Sequence, residues 1–158
     1  MKYLCLVYHE EAKLGALSAR EMDDLVDGCI GWVGEVDKSG HHVLSAGLQT
    51  VATAATVRNR GGKTSVTDGP FAETKEFLSG FMLINARDLN EAIQLVSKFP
   101  GANIGSVEVR PVLEADEEPA GSLDRAIAAA FRRNGSGLAP DAASRLASVP
   151  QSAPERAG

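Results

Sequence analysis

Aromatic side chains are scarce in this sequence. Five Phe, two Tyr and one Trp supply 5% of 158 residues, so the core has to be built from aliphatic side chains. Cysteine is scarcer still. Cys5 and Cys29 are too few for a disulfide-stapled secreted scaffold or a thiolate metal site, and both are expected as buried, reduced thiols. Three histidines without a matched carboxylate spacing make no metal site, and no cofactor fingerprint is present. Positive charge is short as well: 16 Lys and Arg stand against 21 Asp and Glu, a net charge of −5. A duplex-binding domain needs a basic face that neutralises phosphates. Here Arg58, Arg60 and Lys63 form one small basic patch and Arg132 with Arg133 another, both read as solvated surface charge. Nucleic acid is therefore not an expected partner. Nothing approaches the roughly 20 apolar residues that span a bilayer. The opening MKYLCLVYHEE is too short in its apolar part for a signal peptide and lacks a cleavage site. The expectation is a cytoplasmic protein with no membrane association.

What is present is a regular alternation of strand and helix signals. KYLCLVY, residues 2–8, is a nearly continuous apolar run, the pattern of a strand buried on both faces or nearly so. Ser18 and Glu21 form the reciprocal pair of a capping box. Met22, Leu25, Val26, Cys29, Val33 and Val36 follow at helical spacing, and Gly40 supplies the stop, predicting a helix of about 20 residues. HVLSAGL, residues 42–48, reads as a strand. Residues 54–58 and 63–67 read as a hairpin turning at Arg60-Gly61-Gly62-Lys63. FLSGFMLIN, residues 77–85, is a second buried strand, in which Ser79-Gly80 marks a bulge or a close backbone approach. Asp88 with Glu91 opens another helix, which Pro100-Gly101 halts, and residues 104–112 hold a last strand. Two helices on one face of an antiparallel sheet accommodate this order most economically. Past Leu113 the composition turns acidic, then small and polar. Residues 122–133 can form one amphipathic helix, and residues 134–158 are expected to stay mobile. The expected division is a domain at 1–113 and a C-terminal extension at 114–158.

The segment DGPFAETKE, Asp68 to Glu76, carries a family resemblance. Together with KYLCLVYHEE, FLSGFMLINARDLNEA and GSVEVRPV in matching order, it resembles the YCII-related family in its DGPF-motif branch. The resemblance covers Met1 to about Leu113. It implies an α+β, ferredoxin-like domain that pairs into a dimeric α+β barrel, with a cleft beside each sheet. It implies no settled activity. Members have been suspected of catalysis on the strength of a histidine–aspartate pair, and some DGPF proteins occur beside sigma factors.

Asp68 and His9 are the catalytic candidates. Asp68 follows a strand and precedes Gly69-Pro70; a carboxylate held beside an apolar sheet can act as general acid or base, and an Asx turn is its structural alternative. His9 stands just past the first strand, and imidazole titrates near neutral pH. DGPF relatives commonly have another residue there, so His9 rests on its own chemistry. As a polar residue beyond a strand end it is expected to be solvated, and so are His41 and His42. Glu73, Thr74 and Lys75 offer a polar rim for a small anionic or carbonyl ligand, with intraloop pairing of Lys75 to a glutamate as the structural reading. Arg110 either clamps a carboxylate or pairs with Glu108. Two functions remain open at this point. One is a homodimeric protein binding a small molecule near the DGPF loop, with acid/base chemistry of the isomerase or lyase kind. The other is a non-catalytic regulatory or protein-interaction module, linked to sigma-factor regulation or using the helix at 122–133.

Overall fold

A computed structural model of the chain describes residues 1–113 and 121–134. The chain divides into two units, Met1–Pro111 and Val112–Gly158. In the first unit, β1 (Lys2–Glu10) runs into a short helix α1 (Glu11–Gly15), which nothing in the sequence pattern announced. The long helix α2 (Ala19–Lys38) follows, then β2 (His42–Gly47), a 3₁₀ turn at Val51–Thr53, β3 (Ala55–Arg60) and β4 (Lys63–Asp68). β5 (Glu76–Asn85), α3 (Leu89–Val96), a 3₁₀ turn at Pro100–Asn103 and β6 (Gly105–Pro111) complete it.

Local chemistry accounts for the helix boundaries. The Ser18 side chain accepts from the Glu21 amide while Glu21 reaches back to the Ser18 amide at 2.8 Å, so two orphan donors are satisfied reciprocally. At α3 the Asp88 carboxylate accepts from the Glu91 amide at 2.9 Å. Glu91 in turn takes the amide of Arg87, one residue ahead of the cap. Bonds to the ionised form, from the Ser18 hydroxyl and then its amide to Glu21 and from the Glu91 amide to Asp88, hold both capping carboxylates below the ordinary range.

The main sheet has strand order β2-β5-β1-β6, antiparallel throughout, and β3-β4 form a separate two-stranded ribbon. With α2 and α3 as the two crossover helices, this is the ferredoxin-like arrangement. The ribbon turns through Gly61-Gly62, whose φ angles of 55° and 74° suit a tight two-residue hairpin turn.

The register sorts the sheet into two unlike faces. Tyr3, Cys5, Val7, Met82 and Ile84 point to the helices and join Trp32, Val36, Ala92, Val96 and Phe99 in one core cluster. Trp32 and Phe99 meet edge to face at 5.1 Å. Ile84 and Cys5 are fully buried, and burial pushes the Cys5 thiol up to about 12, which makes it chemically inert at neutral pH. The other parity, with Leu4, Leu6, Tyr8, Leu78 and Phe81 half-buried and Leu83 buried, takes no part in that cluster. The first strand is therefore not buried evenly on both sides. It alternates strictly, because its apolar run serves a helix-covered face and a second, more accessible face.

In the second unit α4 (Ser122–Asn134) forms where the amphipathic spacing predicts, with Arg132 and Arg133 in its last turn, favourable to the helix dipole. Of the segment 134–158 expected to be mobile, Asn134 closes α4 and residues 135–158 lie outside the described residues. Among the described residues no helix is long and apolar enough to cross a membrane.

Candidate functional site

The sheet's β1–β5 pairing breaks at one point. Val7 faces Gly80 but Tyr8 faces Leu78, so Ser79 is an extra residue in β5, a bulge of the kind Ser79-Gly80 suggests. In an unbroken ladder Ser79 would oppose Tyr8 and share its face, away from the helices. The bulge instead lets its hydroxyl lie 2.6 Å from His9 Nδ1 and 3.2 Å from the Val7 carbonyl. On the other side His9 Nε2 lies 3.1 Å from the Gly101 carbonyl.

His9 is thus buried, 8% exposed, and the expectation of a solvated imidazole is corrected. The strand continues to Glu10, two residues beyond the apolar run, and its alternation carries His9 onto the helix side. Room for the ring depends on Gly105, its partner in β6: a Cβ there would stand 2.2 Å from the Tyr8 carbonyl oxygen and 2.6 Å from His9 Cδ2. A carbonyl only accepts, so Nε2 carries a proton and donates to Gly101. Neutral His9 then accepts from the Ser79 hydroxyl at Nδ1. A protonated ring would donate there, with Ser79 turning its hydrogen to Val7.

Asp68 lies elsewhere. It ends β4, paired with Ala55, and its exposed carboxylate has no bonding partner among the described residues. The turn after it is held by backbone. The Gly69 amide donates to the Ala54 carbonyl at 2.8 Å, and its own carbonyl accepts from Thr56 Oγ1 at 2.9 Å. Gly69 has φ 96°, which side-chain-bearing residues rarely adopt. The Asx-turn alternative is therefore not used, and the structure does not bring Asp68 and His9 together: His9 has Ser79 and Gly101 as its partners.

A cleft of about 930 Å³ opens between residues 48–54 and 69–74. Tyr8, Phe77 and Leu78 line its sheet side, and Leu48, Val51, Pro70 and Phe71 add to an apolar wall. Glu11, Glu73 and Thr74 supply polar groups. A smaller, shallower recess of about 700 Å³ lies among Tyr8, Glu10, Lys75, Glu76 and Glu108. Lys75 stands 3.3 Å from Glu10, not paired within its own loop as the sequence suggested, and Lys13 stands 2.9 Å from the same carboxylate. The hydrogen bond from Lys13, followed by that from Lys75, holds the Glu10 carboxyl below its usual range. Thr74 turns its hydroxyl to the Glu76 carbonyl. Arg110 pairs with Glu108 at 3.4 Å, the structural reading of the two considered. His41 and His42 are half-buried, bonded to the Asn85 carbonyl and to Ser45, because β2 begins directly after α2 and packs both rings at the sheet edge. Among the described residues no three His, Cys, Asp or Glu side chains converge as metal ligands.

Of the sequence candidates, Glu73 and Thr74 line the cleft, Asp68 adjoins it through Gly69, and His9, Lys75 and Arg110 lie outside its lining. Sequence reasoning missed Tyr8, Phe77, Leu78 and the segment 48–54. Their apolar character signalled packing, and only the gap between β2 and β3, without a strand or helix pattern, hinted at a wall.

The fold and cleft define a ferredoxin-like α+β protein with an open pocket at one end of its sheet. Residues 1–116 match the YCII-related domain family, and the chain belongs to it. It is also similar to an uncharacterized protein of Rhizobium meliloti (strain 1021), 38% identical over 114 residues that span 71% of this chain and 92% of that protein.

Proposed function

We propose that this YCII-related protein binds a small, largely apolar molecule in the cleft between residues 48–54 and 69–74, working as a homodimer. The observation that carries the reading is the cleft itself: about 930 Å³, walled by Leu48, Val51, Phe71, Phe77 and Leu78, with a few polar groups at its edge. That is the size and make-up of small-molecule sites in general. A thermal-shift screen of small metabolites on the wild type and on Ala52→Trp, which fills the cleft from its lining, tests it. Hits should stabilise the wild type by about 2.7 kcal/mol at a hundredfold excess over Kd and leave the variant unmoved. Hits that stabilise both alike would end the reading.

The dimer reading is supported by the half-buried apolar side chains Leu4, Leu6, Leu44, Leu78 and Phe81, which share the sheet face turned away from the core cluster. Leu6→Asp should turn a dimer into a folded monomer in sedimentation velocity; a wild-type species that is already monomeric at micromolar concentration removes the proposal.

Acid/base turnover of the bound molecule is the second reading. Asp68 favours it, as a carboxylate without a bonding partner among the described residues, directly before the lining residue Gly69. A hit that is converted by the wild type and not by Asp68→Asn supports catalysis. A hit that stays unconverted makes this a binding module.

A further inference from the structure

The charge around the cleft is one-sided. Glu11 and Glu73 line it, and no Lys, Arg or His does. Neither carboxylate has an ion-pair or hydrogen-bond partner among the described residues. Three cations stand in the neighbourhood without lining the cleft. Lys13 and Lys75 both hold Glu10, at 2.9 and 3.3 Å, and Arg58 bonds Thr67 Oγ1 at 3.3 Å and the Phe71 carbonyl at 3.5 Å. Three of the chain's few aromatic side chains, Tyr8, Phe71 and Phe77, belong to the same lining. Phe71 is 82% exposed, so its ring is open to a ligand. Aromatic faces carry negative potential and attract organic cations. Carboxylates at the mouth add to that attraction and repel an anion.

We infer that the ligand of this cleft is an apolar amine: an aryl or alkyl body held against Phe71, Phe77 and Leu78, with one ammonium group directed to Glu11 and Glu73. The inference rests on the cleft being the ligand site, and it departs from the anionic or carbonyl ligand that Lys75 suggests when the sequence is read alone. The attraction involves exposed groups and is modest. Cation–π contact at exposed sites and a solvated ion pair each contribute up to about 1 kcal/mol. Since each 1.36 kcal/mol is tenfold, the two together should make an amine bind about three- to thirtyfold tighter than its neutral counterpart.

Calorimetric titration of the full chain with three size-matched probes tests this: 2-phenylethylamine, 2-phenylethanol and 3-phenylpropanoate, at low salt. The expected order is amine, then alcohol, then carboxylate, with the amine's advantage lost in the Glu11→Gln, Glu73→Gln double variant while alcohol binding persists. Two results overturn the inference and spare the cleft: an alcohol that binds as well as the amine, or a double variant that keeps the amine preference. No binding by any probe at millimolar concentration also overturns it. In that case a metabolite hit that Ala52→Trp abolishes would keep the cleft reading alive, and the absence of such a hit would remove both.

Discussion

Two regions of this molecule carry the residues first suspected of chemistry, and they are built on opposite terms. At the end of β1, His9 is held by three elements: Ser79 from β5, Gly101 from the 3₁₀ turn, and the close backbone of Gly105 in β6. At the end of β4, Asp68 stands exposed on a two-stranded ribbon whose central pair, Val57 and Val66, is 60% and 63% exposed. A ribbon of two strands is marginal without a covering layer. The comparison teaches that titratable character and structural constraint are separate properties. His9 has become part of the packing, whereas Asp68 keeps the access a reacting group needs.

The contrast can be broken by mutation. The largest effect is expected on the helix-covered sheet face that His9 shares, at its far end: Ile84→Ala, at a fully buried position paired with Tyr3, should cost about 2–5 kcal/mol in urea unfolding. A loss below 1 kcal/mol would mean that this face is less tightly packed than its burial implies. Gly105→Ala should follow at about 1–3 kcal/mol, because the new methyl must displace the Tyr8 backbone or the His9 ring. Ser79→Ala strips His9 Nδ1 of its partner and should cost about 1–3 kcal/mol, with a shifted His9 ring resonance in NMR. Unchanged stability would show that the ring has another donor.

The remaining effects are small and sharpen the other side. Glu10 has a lowered carboxyl, so its contribution is complete above the unfolded value near 4.5 and disappears as pH falls through the folded value. Thermal melts of Glu10→Gln should therefore lie slightly below wild type at pH 7 and coincide with it at pH 2.5. A gap that persists at pH 2.5 would rule out the ion pairs as its source. Asp68→Asn should leave stability within about 0.5 kcal/mol, as befits an exposed side chain with no bonding partner among the described residues. A larger loss would give Asp68 a structural role.

Much of the fold was legible from short-range patterns. The capping box at Ser18, the helical stripe from Met22 to Val36, the diglycine turn and the alternation in β6 are all local features, and each element stands where its pattern put it. Helix and turn preferences act over three to seven residues, so the sequence carries them openly. The site was less legible. Glu73 and Thr74 were picked from the polar loop and do line the cleft, but its apolar walls come from segments far apart in the chain: Tyr8, residues 48–54, and Phe77 with Leu78. Nothing local marks them as wall residues.

The sequence by itself determined the order of strands and helices, the caps that bound them and the family to which the first 116 residues belong. Tertiary structure alone decided the burial of His9, the partner of Lys75 and the charge around the cleft. The physical reason lies in strand register. One extra residue at Ser79 reverses which face every following side chain of β5 presents, and a choice of that kind is made by pairing between distant strands, not by the residues nearby.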